Sequence, residues 1–161
     1  MEQPAWVPQT GFFYQNVPGP KNRIDVFDPH KLPNPVKSFP VECSGGLIGL
    51  TVSGLTVGPN GRLMTVCGSL GGMSLDPTTG KSQKIVPEGA LADEVWYDSG
   101  SNNYYFSRGA ANGGLGVIDA ATEKFVVNIP LASHSVAVNA KNKHIFVPVG
   151  GKGIFVVAPR K

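Results

Sequence analysis

The sequence predicts an all-β protein: a partial β-propeller made of blades of four antiparallel strands, with about 3.5 blades in the chain. Three observations carry this. First, the stretches 55–66, 95–106 and 136–147 superpose at spacings of 40 and 41 residues, the period of a four-stranded propeller blade. Second, each stretch is an apolar run, a polar turn and another apolar run, the pattern of a β-hairpin. Third, Gly (21) and Pro (14) make up about a fifth of the chain and charged residues only 16%, so turns are frequent and no window sustains the 3.6-residue apolar period of a helix.

Each hairpin is followed by a second strand pair of its own form. Gly72–Pro87 and Gly114–Pro130 each read as strand, Asp-initiated turn and strand, with Asp76 and Asp119 opening the turns. Arg23–Pro40 repeats the form with Asp28. Aspartate suits this place because its carboxylate accepts backbone N–H groups two residues on. Asn60-Gly61 is the strongest hairpin turn signal in the chain.

In chain order, the first unit supplies strands at Phe12–Gln15, Arg23–Phe27 and Lys37–Val41, with no innermost strand before them. Two full units follow. The last supplies Ser135–Val138, His144–Val147 and Gly153–Val157 and lacks a fourth strand. The expected organisation is an N-terminal extension over 1–10, one half-propeller domain over 11–158 and a tail over 159–161. Two whole blades then lie between two incomplete ones, and open blade edges invite pairing. A homodimer formed through those edges is expected, or else the chain is a fragment of a larger ring.

The 161-residue chain of 16.9 kDa is long enough for one domain that buries roughly 70% of its unfolded surface. Its 14 basic and 11 acidic residues are scattered, not striped, which argues against a nucleic-acid partner. No apolar run approaches the roughly 20 residues of a membrane helix. The start at Met1–Pro8 lacks the basic and apolar regions of a signal peptide. Cys43 and Cys67 are open to two readings. They pair to close a loop of 24 residues, or they are two buried thiols packed as small apolar groups.

The repeat residues carry a family resemblance. Ile24–Pro29, Gly58–Gly61, Met73–Gly80, Ala92–Tyr97, Gly116–Asp119, His134–Ala137 and His144–Pro148 make the chain similar to the C-terminal half of the YVTN-type (surface-layer) β-propellers. These are themselves distantly similar to the gluconolactonase and senescence-marker-protein group. The resemblance covers the chain from about Gly11 onward and implies a propeller, a disulfide between Cys43 and Cys67, and export. Without it, the missing leader points to the cytoplasm. The stretch 45–57 departs from the pattern by nearly duplicating its own strand, which leaves its register open.

The candidate site follows from the repeat. Ser53, Asp93 and His134 each stand two residues before the common apolar start, at the innermost strands that would line the channel. A carboxylate and an imidazole converging there can bind a divalent cation (Ca, Mg or Zn), act as an acid/base pair or orient a polar ligand. The expected catalytic residues are Asp93, Glu94 and His134. Ser53, Trp96 and Ser135 are expected at a ligand, and Asp93 and His134 at a metal. The leading expectation is binding or conversion of a small molecule. If the protein is an enzyme, the resemblance implies a gluconolactonase-like hydrolase, or a lyase or cyclase. The alternative is a non-catalytic interaction module for a protein or polymer. Asp93 and His134 would then only satisfy backbone groups where the strands begin.

Several motif look-alikes fail. Thr79–Ser82 ends like a phosphate-binding loop, but Leu75 stands where its glycine is required. Gly113–Gly116 precedes a strand, not a helix. His134 and Ser135 are neighbours on a strand, which aims them apart.

Overall fold

The computed structural model describes residues 3–43, 51–109 and 113–158. Among these described residues fifteen strands form four antiparallel sheets. Blade 1 is β1 (Pro4–Val7), β2 (Phe12–Val17), β3 (Arg23–Phe27) and β4 (Lys37–Pro40). Blade 2 is β5 (Val52–Val57), β6 (Leu63–Cys67), β7 (Gly72–Leu75) and β8 (Ser82–Val86). Blade 3 is β9 (Ala92–Asp98), β10 (Asn103–Arg108), β11 (Leu115–Asp119) and β12 (Lys124–Ile129). Blade 4 has β13 (Ala137–Asn139), β14 (His144–Val149) and β15 (Gly153–Val157). Each strand pairs with its chain neighbour, so every blade is a meander.

One expectation is corrected. Blade 1 has its innermost strand, because Pro4–Val7 pairs with β2 in the register Pro4–Gln15 to Val7–Phe12. Residues in the expected extension are therefore part of the sheet, and the described chain holds three complete blades and one of three strands. The segment is short and proline-flanked, which hides it. Proline is tolerated at the first residue of a strand, where no ladder N–H need be donated, and only Ala5 and Val7 face inward.

The turns form as their residues dictate. The Asp76 carboxylate accepts the amides of Thr78 (2.9 Å) and Thr79 (2.8 Å), and Asp119 accepts the amide and hydroxyl of Thr122, both at 2.7 Å. Those bonds hold both carboxyls below the usual carboxylate range, chiefly the Thr79 amide for Asp76 and the Thr122 hydroxyl for Asp119. Asp28 accepts the His30 amide at 2.9 Å. Asn60 and Gly61 both take positive φ, 58° and 74°, as a tight hairpin turn requires.

Three apolar clusters lie between successive blades, each formed by side chains alternating off facing sheets. Tyr14, Ile24 and Val26 of blade 1 meet Leu55, Leu63 and Leu75 of blade 2. Met64 and Val66 meet Val95, Tyr104 and Phe106. Tyr105 and Val117 meet Val136, Ile145 and Val147. Polar ties repeat along the outer side: the Lys37 ammonium donates to the Thr78 carbonyl (3.2 Å), and that of Lys84 to Thr122 (2.7 Å). A disulfide joins Cys43, just before the second blade, to Cys67 at the end of β6, with Cα atoms 5.2 Å apart. The described part of the duplicated stretch sets its register from Val52. Residues 45–50 of that stretch lie outside the described residues.

Candidate functional site

The inner strands bulge at the positions the repeat picked out. In blade 3, Ser107 pairs with Glu94 and Arg108 with Ala92, so Asp93 is an extra residue opposite no partner. In blade 2, Val52 pairs with Cys67 and Leu55 with Thr65, which sets Ser53 and Gly54 against Val66 alone. A bulge re-aims side chains that a regular strand would send to opposite faces. Asp93 and Glu94, adjacent in sequence, consequently both reach toward blade 4.

Two polar contacts result. Asp93 Oδ2 lies 2.5 Å from His134 Nε2, and the Ser135 hydroxyl donates to Glu94 Oε2 at 2.6 Å. His134 and Ser135 thus engage different partners, as neighbouring positions on a chain should. The His134 side chain is 85% exposed and that of Asp93 37%, so this pair stands in water. An exposed pair of this kind contributes little to stability. Beyond it an open cleft runs past Ser135, Pro148 and Ile154 along blade 4.

The other predicted residues are distributed as follows. Ser53 is not brought to the Asp93–His134 pair; its hydroxyl donates to the Ala92 carbonyl at 3.1 Å and ties the inner strands of blades 2 and 3 together. Its neighbour Gly54 is forced by that approach, since a Cβ there would sit 2.5 Å from the Val95 nitrogen. Trp96 shares a strand face with Glu94 two residues away and remains 39% exposed. Tyr104, Tyr105 and Phe106 are buried between blades, as aromatics in such strands should be.

Several supporting residues carry no sequence signal. Ser107 donates to the His134 carbonyl at 2.9 Å, and Asn16 donates to those of Ser53 (2.5 Å) and Gly54 (3.1 Å). Each is a buried polar group on a second strand that fixes the start of the next blade's inner strand. Ser133, also buried, has its hydroxyl within hydrogen-bond distance of the carbonyls of Ser135 (2.6 Å) and Pro148 (2.7 Å). Gln3 accepts from the Leu55 amide at 3.2 Å, so the segment expected as an extension reaches the inner rim.

A metal fits this donor set poorly. Among the described residues no group of three or more His, Cys, Asp or Glu side chains is arranged to hold an ion. The second carboxylate, Glu94, is engaged by Ser135. Among the same residues no helix is long and apolar enough to cross a membrane.

No protein-family model and no curated protein sequence matches the chain. Solved structures do. A chain in the crystal structure of the mitotic checkpoint complex superposes with a TM-score of 0.75 at 15% identity, covering 98% of this chain and 49% of that one. The WD40 β-propeller domain of Doa1 superposes with a TM-score of 0.74 at 14% identity, covering 99% and 51%. The chain spans about half the length of each. At such low identity the likeness speaks for architecture alone: four blades of a β-propeller, curved as in a larger ring.

Proposed function

We propose that the protein is a non-catalytic propeller module that binds a protein partner at the rim formed by Asp93, Glu94, Trp96 and His134. The observation that carries this is the state of the polar groups. They engage one another in pairs on an exposed rim, Asp93 with His134 and Glu94 with Ser135. Exposed Trp96 beside them is the kind of side chain that anchors protein interfaces. Support also comes from the architecture, which is like that of a WD40 domain and of a chain within a multiprotein complex.

The test is a Trp96→Ala, Asp93→Ala double variant against wild type, with tagged protein and the proteins cross-linked to it at this rim. One partner cross-linked to wild type and lost from the variant, with the melting temperature retained, is expected. Equal capture by both would overturn the reading.

A second reading, favoured by the 2.5 Å contact of Asp93 with His134, is a small-molecule site in the manner of the gluconolactonase-like resemblance. It predicts a ligand-dependent rise in melting temperature with lactones or with Ca, Mg or Zn that His134→Ala abolishes. The interaction reading predicts no such rise.

A further inference from the structure

The two ends of the blade array expose the two halves of one interface that the chain already builds three times. On blade 1, Trp6, Phe13 and Phe27 form a cross-strand row. The same register places Val57, Leu63 and Leu75 in blade 2, Tyr97, Tyr104 and Ile118 in blade 3, and Val138, Ile145 and Val157 in blade 4. In blades 2 to 4 this row packs against the preceding blade, and its middle residue is buried each time. In blade 1 no other blade among the described residues lies against it, and Trp6 and Phe13 stand 43% and 44% exposed.

Even the aromatic geometry repeats. Trp6 and Phe13 have ring centroids 4.8 Å apart and tilted by 54°. Their counterparts Tyr97 and Tyr104, covered by blade 2, are 5.5 Å apart and tilted by 49°.

The opposite end shows the complementary row. Ala137, Phe146 and Val156 of blade 4 occupy the register positions of Ala5, Tyr14 and Val26, the row by which blade 1 packs on blade 2. Ile154 likewise matches Ile24. Ala5, Tyr14, Val26 and Ile24 are buried, whereas Val156 and Ile154 are 54% and 69% exposed.

We infer that the blade 4 face of one copy packs on the blade 1 face of a second copy, so that two chains close one propeller ring of eight blades. Such a head-to-tail interface is heterologous and closes only if its rotation returns to the start. The four blades superpose on a WD40 propeller domain with a TM-score of 0.74, so the array curves as the blades of a propeller do. A ring of two copies covers both apolar ends at once. The contact is between blade faces, not through the open edges that strand counting suggests, because β1 already completes blade 1. The ring also sets the second copy's first strand beside the cleft at Ser135 and Ile154. This inference rests on the fold and is independent of the partner proposed above.

Sedimentation analysis of the wild-type chain tests it, with Ile154→Asp, Trp6→Asp and a mixture of the two variants. Wild type is expected at twice the 16.9 kDa chain mass. Each variant alone is expected as a monomer with a dissociation constant raised at least about 100-fold. The mixture is expected to recover a dimer, since one intact interface joins the unmodified blade 1 of the Ile154→Asp chain to the unmodified blade 4 of the Trp6→Asp chain. A wild-type monomer at about 100 µM, as when another segment or partner covers these faces, would overturn the inference. So would a dimer that survives Ile154→Asp, or a mixture that stays monomeric. Val156→Asp replaces Ile154→Asp, and Phe13→Asp replaces Trp6→Asp, should either variant fail to fold.

Discussion

The contact between blades 2 and 3 and the open face of blade 1 are built from the same kind of row, and only one of them is covered. Tyr97, Tyr104 and Ile118 lie against Met64 and Val66, while Trp6, Phe13 and Phe27 meet no preceding blade among the described residues. Burial in this protein is thus decided by whether a neighbouring blade is present, more than by residue type. A propeller blade resembles any stacked repeat in this respect: it cannot bury its own apolar faces alone.

The largest effect should therefore come from the covered row. Tyr104→Ala removes a fully buried ring and should cost about 3–5 kcal/mol in chemical denaturation. Phe13→Ala, measured in the Ile154→Asp background that leaves this face uncovered, should cost less than about 1 kcal/mol. Comparable losses at the two sites would break the comparison. Tyr104→Phe sharpens it: the Tyr104 hydroxyl is buried without a hydrogen-bond partner among the described residues, and burial pushes its pKa well up. Removing that hydroxyl should cost nothing or stabilise by up to about 1 kcal/mol.

Next in size is the disulfide. Cys43→Ser with Cys67→Ser frees a 24-residue separation and should lower stability by about 3 kcal/mol on the chain-entropy model. The unmodified, unreduced protein should show no titratable thiol.

Smaller still is the acid response of the blade turns. Hydrogen bonds from Thr79 and Thr122 hold the folded-state pKa values of Asp76 and Asp119 below the ordinary aspartate value of about 3.9. Each therefore contributes stability that is fully present above that value and is lost as pH falls through the lower folded pKa. Asp76→Asn with Asp119→Asn should flatten the loss of melting temperature below about pH 4, and an unchanged acid limb would contradict the turn geometry. The smallest effect is expected at the rim, where His134→Ala should change stability by less than about 0.5 kcal/mol because the ring stands in solvent.

Much of this was legible in the sequence because it rests on local chemistry. The forty-residue spacing, the aspartate turns and Asn60-Gly61 each have a residue-level cause, and the structure reproduces them. The alignment of hairpins also carries Asp93 and His134 to neighbouring blades, where their side chains lie 2.5 Å apart. Ser53 was aligned equally well yet bonds to the Ala92 carbonyl, because the bulge at Ser53 and Gly54 re-aims it. No composition signal marks such a bulge. The innermost strand of blade 1 was illegible for a different reason: four residues opened by Pro4 and followed by Pro8 offer too few alternations to count. Ser107 and Asn16 escaped notice because their role depends on which carbonyl the next blade presents.

The most direct measurement is quenching of Trp6 fluorescence by acrylamide, read in a Trp96→Phe chain so that Trp6 is the sole reporter. The account predicts strong protection in that chain at concentrations where the ring forms, and open quenching once Ile154→Asp is added. Equal quenching in the two would show that no second blade covers Trp6 and would contradict a ring closed by two copies.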